Sequence, residues 1–267
     1  MASQHVICKT CDNNFSGKYC NACGQRVIKR FTGAYLLDGL KQEVFEVDNG
    51  LWHTYREMWI RPGEMVRDYI SGATQKYYGP LKYMIFWTAL YLILLPIILP
   101  TKTSDLFTEE TLRSLIVNSN AAYSRKAFLD FTLFLFKFVS LNTNYYFFGL
   151  IPFISLVGFL IYKKSGINFT EHIILNTYFC GHFASLAIPI SLLSPQNSSL
   201  NELSKSILSI TLLFVPYYYL FFKMLKGFFK EDWHFTISKG LVSVLAGTGV
   251  FIALLFVIFN TVKLLYW

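Results

Sequence analysis

Residues 8–25 read CKTCDNNFSGKYCNACGQ. Two Cys-x-x-Cys pairs, Cys8 with Cys11 and Cys20 with Cys23, offer four thiolates from two tight turns, the donor set a tetrahedral zinc ion takes. Gly17 lies in the stretch between the pairs and Gly24 follows the second, where a backbone without a Cβ is useful. Eight residues separate the pairs, enough for a small hairpin and too few for a core, so metal has to hold the fold together. A disulfide pair or a single redox Cys-x-x-Cys does not call for two evenly spaced pairs. All four coordination positions are filled by protein, which predicts a closed zinc ribbon with one structural ion. Thiolates that hold zinc stay reduced, and this favours a cytosolic N-terminus.

A second set of reactive side chains lies far downstream, inside an apolar stretch: His172, Asn176, Cys180 and His182. Ionisable or polar groups within a span raise a functional hypothesis. His172 and Asn176 share a helical face at i, i+4, whereas His182 lies nearly three turns beyond His172. No span carries an acid to pair with them, and a metal held by His172, Cys180 and His182 would need a donor from another helix. The favoured reading is a histidine hydrogen-bonded to a neighbouring helix; the competing one is a membrane-embedded enzyme using His172 and His182. The sequence contains no nucleophile motif, phosphate-binding loop or paired carboxylates, and the reading leans away from an enzyme.

The elements that must carry these groups are apolar. The chain has 267 residues, 54% hydrophobic and 15% charged, with mean hydropathy +0.41. Soluble domains carry about 25% charged residues, so the balance points to lipid. Five uncharged stretches, at about 83–100, 145–162, 173–194, 206–222 and 240–262, approach the ~20 residues that cross a bilayer core. A sixth, 128–141, is interrupted by Asp130 and Lys137 and reads as interfacial or re-entrant. Pro96, Pro152, Pro189 and Pro216 fall within the first four stretches and are expected to kink those helices rather than break them. With five spans and an inside N-terminus, 17 Lys and Arg lie inside and seven outside, as the positive-inside bias requires. The net charge of +8 is thereby accounted for by topology, and no nucleic-acid partner is expected.

Between ribbon and spans the sequence is amphipathic. Residues 34–48 place Leu36, Leu40, Val44 and Val47 on one helical face, and 51–60 do the same with Leu51, Trp52, Tyr55, Met58 and Trp59. Arg61-Pro62-Gly63 breaks the chain, Pro62 opening a short helix with Met65, Val66, Tyr69 and Ile70 on one side. Such helices lie on the membrane surface or pack on the ends of the spans. The expected fold is therefore an all-α integral membrane bundle of about five transmembrane helices with a small N-terminal zinc ribbon. Its units are the ribbon (1–27), cytosolic or interfacial amphipathic helices (28–82) and a transmembrane domain (83–267).

This order of elements resembles the bacterial multi-pass membrane proteins of domain-of-unknown-function family 3667. The likeness rests on Arg61-Pro62-Gly63, on Tyr69-Ile70-Ser71-Gly72, and on Tyr77 ahead of Pro80, following a zinc ribbon. Ala73-Thr74 stands where the family often has Lys-Arg, leaving Lys76 as the nearest cation. A more distant likeness, of architecture only, is to Yip1-type membrane proteins. The resemblance implies a multi-pass protein of the bacterial inner membrane and brings no activity. The function expected is non-enzymatic: a cytosolic ribbon and aromatic interfacial helices forming a docking or regulatory face for a protein partner, in contact with the lipid bilayer. A transporter or channel for a neutral or lipid-like substrate is the alternative.

Overall fold

The structure, a computed structural model, describes residues 5–28, 30–33, 50–98, 131, 134–135, 143–193 and 202–266. The chain opens with two short antiparallel strands, β1 (His5–Ile7) and β2 (Asn14–Ser16), paired with Val6 opposite Phe15. Phe15 is the one large side chain in the small core they share with Cys8 and Cys20. Seven α-helices follow among the described residues: α1 (Gly50–Ile60), α2 (Pro62–Ile70), α3 (Pro80–Ile98), α4 (Thr143–Ile161), α5 (Phe169–Leu192), α6 (Glu202–Phe229) and α7 (Trp233–Tyr266). Short 3-10 turns at Thr74–Lys76 and Lys163–Ser165 precede α3 and α5. The expected helix over 34–48 and most of 128–141 lie outside the described residues.

Helix boundaries follow local chemistry. Pro62 begins α2, where its missing N–H costs nothing. Asn168 and Glu171 form a capping box: each side chain accepts the other residue's backbone N–H, at 2.8 and 2.7 Å. That cap starts α5 four residues before the apolar stretch read from composition. Pro152, Pro189 and Pro216 lie within α4, α5 and α6, which continue past them.

Three segments are long and apolar enough to cross a membrane: Thr74–Leu95, Phe169–Leu192 and Trp233–Val262. The apolar part of α4, Phe148–Ile161, is shorter. Helix α5 is the axis of the bundle: α3, α4 and α6 all pack on it, while α7 packs on α4 and α6. Its spanning window is 61% buried against 17% for that of α7, which turns Leu245, Val250, Leu254 and Val257 outward as lipid-facing residues would be. Close crossings use small residues, as membrane helices commonly do. A Cβ at Gly181 would come within 2.7 Å of Met84 Cα, and one at Gly247 within 2.8 Å of Ile154 Cα.

Helices α1 and α2 pack on the ribbon end of the bundle. The buried stripe of α1 is Leu51, Thr54 and Met58, and Tyr55 and Trp59 lie against His182; Trp52 (66% exposed) points out, against the face drawn from hydrophobicity. The reason is polar: Thr54 Oγ1 accepts the Tyr78 N–H at 2.8 Å, and this sets the rotation of the helix. Helix α2 buries Met65, Val66 and Tyr69 as its periodicity predicts, against α5 and the C-terminal end of α6.

Candidate metal centre and signature segment

The two knuckles bring four sulfurs together. Cys8 Sγ lies 3.5 Å from Cys23 Sγ and Cys11 Sγ 3.6 Å from Cys20 Sγ, all four within 4.8 Å of one another. A tetrahedron of thiolates about 2.3 Å from a zinc ion has edges of about 3.8 Å, whereas a disulfide needs about 2.05 Å; the cysteines are free. The electrostatics of the cluster favours a cation among the sulfurs. Burial raises the Cys20 thiol, but the Cys23 and Ala22 amides outweigh it and bring it down to about 6. The Asn13 amide lowers Cys11, but its contacts with Cys23, Cys8 and Cys20 push it up to about 12. Four crowded thiols cannot all ionise without a positive charge between them. The cluster fits a metal ion.

The ribbon is fastened to the helices. Gln25, 3% exposed, spans the joint: its Oε1 accepts from Thr10 Oγ1 at 2.9 Å and from the Gln75 N–H at 2.8 Å. Its Nε2 donates to Thr74 Oγ1 at 2.8 Å and to Arg26 O at 2.7 Å. Phe31 is fully buried and stacks on Tyr69, centroids 5.4 Å apart. The Phe31 carbonyl accepts from Asn168 Nδ2 at 3.0 Å, and Arg30 reaches the Gly166 carbonyl at 2.8 Å and the Glu171 carboxylate at 3.7 Å.

The signature residues form a clamp. Arg61 pairs with Glu57 at the end of α1, with Asp68 of α2 at 3.4 Å, and with Tyr77 Oη at 3.3 Å. Tyr77 Oη in turn donates to Asp68 Oδ2 at 3.0 Å, and its ring stacks on His53 at 5.4 Å. Burial alone lowers the Arg61 pKa, but the Glu57 hydrogen bond and the charges around it hold it above its ordinary value. Arg61 thus ties α1, α2 and the segment before α3 together through three partners within the fold. Gly63 has a different part from the one its place after proline suggested. It sits inside α2, not at a turn, and its missing Cβ admits the backbone of α6: a methyl there would overlap Met224 O and Phe228 N and come within 2.6 Å of Gly227 C. Arg67 donates to the Phe228 carbonyl beside this crossing. Gly72 ends α2 at φ +111°, a conformation side chains disfavour, with its N–H on Tyr69 O at 3.0 Å. Pro80 opens α3.

The intramembrane candidates separate into two places. His182 Nδ1 is hydrogen-bonded to Tyr83 Oη of α3 at 3.0 Å, with Trp59 edge-on at 5.1 Å and Tyr55 at 5.7 Å. His172 lies ten residues earlier on α5, about 15 Å along the axis. It faces Phe229 and Tyr162, which stack on each other at 3.7 Å. Asn176 Nδ2 donates to Ser155 Oγ at 2.9 Å and to the His172 carbonyl at 3.0 Å, so the i, i+4 pairing joins side chain to backbone. Cys180 is a half-buried free thiol. The histidines do not converge on one site. Sequence reading missed Glu231 and Lys239, which pair at 2.5 Å, with the Lys239 ammonium 4.9 Å from the Tyr162 ring. It also missed Gln25, Thr54 and Asp68; only the Asn168-x-x-Glu171 spacing carried a local signal for what it does.

Residues 48–92 match the family described as Protein of unknown function (DUF3667). The matched stretch takes in α1, α2 and the first part of α3 and contains the whole Arg61–Tyr77 clamp, so the resemblance drawn from those motifs falls on residues that hold one another. No curated protein and no solved structure matches the chain.

Proposed function

We propose that this chain, built around the DUF3667 segment, is a multi-pass protein of the bacterial inner membrane whose cytosolic end is a docking or regulatory face organised by a zinc ribbon. The observation that carries the reading is the fastening of ribbon to bundle. Gln25, Arg30 and Phe31 join the four-cysteine module to the turn after α2, to the 162–168 connection and to the start of α5. Metal module, signature segment and connecting loops thereby form one surface. Exposed cations crowd it (Lys9, Lys18, Arg26, Arg30, Arg56, Lys163, Lys164 and Lys230) against exposed Asp12, Glu64 and Asp232. A basic end of this kind stays on the cytosolic side and suits an acidic protein surface.

Zinc is the ion proposed, since four thiolates in a closed tetrahedral set favour it, and its part is to hold the ribbon's shape. Five crossings follow if α4 and α6 span as well, because α3, α5 and α7 begin, and α4 and α6 end, at the ribbon end. The test is site-specific photo-crosslinking in native membranes from exposed Tyr19 of the ribbon and from Val257 of α7. The expected result is a defined protein adduct from Tyr19 and lipid adducts from Val257. Lipid adducts alone from both positions, or a small-molecule adduct within the bundle, would replace docking with a transport reading.

A further inference from the structure

The Gln25 carboxamide uses all of its hydrogen-bonding capacity in one place, accepting twice and donating twice. Its four partners belong to three pieces of chain. Thr10 lies between the ligands of the first knuckle, Arg26 follows the second knuckle, and Thr74 and Gln75 form the 3-10 turn after α2. The joint closes only when the two knuckles stand in register, because Thr10 and Gln25 come from opposite knuckles. Apart from the four sulfurs, that register rests on a core with one large side chain, Phe15, and on Asn13 Nδ2, which donates to Asn21 Oδ1 at 2.7 Å and reaches Cys20 Sγ at 3.7 Å. Past Gln75 the chain runs directly into Tyr77 of the Arg61 clamp and then Pro80, the first residue of α3.

We infer that the four-cysteine centre is a metal-operated clasp: an ion in it closes Gln25 onto Thr74 and Gln75 and fixes the turn that presents Tyr77 to Arg61, and its loss releases that turn. The inference rests on the metal reading above and adds to it a consequence inside the signature segment. A metal that only kept the ribbon folded would leave residues 72–79 as they are, since Tyr77 and Tyr78 have their own bonds to Asp68 and Thr54. The clasp instead makes the order of that turn depend on metal supply. The bundle does not open with it, because α3, α5 and α6 meet through apolar contacts remote from the ribbon, such as Gly181 on Met84.

Hydrogen exchange read by mass spectrometry tests this on the full chain in lipid nanodiscs, with zinc and after chelation, alongside metal analysis. Chelation is expected to speed exchange of the amides in 72–79 about tenfold, while 174–187 of α5 keeps its protection. Gln25→Ala should reproduce the faster exchange of 72–79 with one ion still bound. Thr74→Val, which removes one acceptor on the far side of the joint, should do so in part. Bound metal whose removal leaves 72–79 unchanged overturns the clasp and leaves the docking proposal standing. So does loss of protection throughout α5, or a Gln25→Ala protein that exchanges like the wild type. Protein that binds no metal at all overturns the zinc reading and the clasp together.

Discussion

At Gly63 a single methyl group decides whether α2 can lie on α6. The atoms a Cβ would meet are backbone, Met224 O and Phe228 N among them, and backbone cannot swing aside as a side chain can. Gly63→Ala is therefore expected to cost roughly 1–3 kcal/mol, read as a lower Tm in detergent and lower membrane abundance. Gly227→Ala, whose Cβ would stand 3.3 Å from Gly63 Cα, should be milder. Arg61 is expected to behave as a structural residue too. Arg61→Ala unties Glu57, Asp68 and Tyr77 at once, and Arg61→Lys should fail to rescue, since one ammonium cannot serve three acceptors spread around a planar fork. A lysine variant with wild-type Tm would show that only the charge matters. Tyr77→Phe, which removes the hydroxyl that accepts from Arg61 and donates to Asp68, is expected to lower the Tm while leaving membrane insertion unchanged.

At the scale of elements, the ribbon and the helices should come apart in their dependence on metal. Two three-residue strands with one phenylalanine between them bury too little to fold alone. Cys20→Ser is accordingly expected to abolish stoichiometric metal while α3, α5 and α7 still insert, because insertion depends on hydrophobicity. Metal analysis on protein purified without chelator, with carbonate extraction of the membranes, checks both halves. In contrast, α1 and α2 are held by the bundle. Their cores, Met58, Met65 and Val66, are fully buried together with Tyr178 and Met224, so His182→Ala, which removes the partner of Tyr83 beneath α1, should lower stability by about 1–2 kcal/mol rather than abolish a reaction.

For the whole molecule the decisive measurement is sidedness. The connections after α4 and α6 lie at the ribbon end, so reporters fused at Gly166 and Lys230 are expected to sit on the same side as the N-terminus. Fusions at Asn120 and Asn197 should report the opposite side. A C-terminal fusion at Trp267 is expected outside, and one found in the cytosol would mean an even number of crossings and a further span before α4.

Much of this protein was legible in its sequence because the signals are local or compositional. Ligand spacing in two knuckles, the apolar stretches within α3, α5 and α7, and proline at the start of α2 depend on residues a few positions apart. Helix α5 still began earlier than composition suggested, through a capping box that spacing alone could have revealed. What tertiary structure decided involves partners far apart in the chain. The rotation of α1 is set by a hydroxyl 24 residues from the amide it accepts, and hydrophobicity, which drew Trp52 inward, carries no record of that bond. Gly63 gave the same local pattern for a turn and for a helix crossing; only the approach of Gly227, 164 residues later, distinguishes them. The sequence marks Arg61 only as part of a chain-breaking motif; its partners Asp68 and Tyr77 appear in the structure. Directional bonds and backbone contacts are fixed by three-dimensional position, and one-dimensional spacing determines them only within a turn or two of helix.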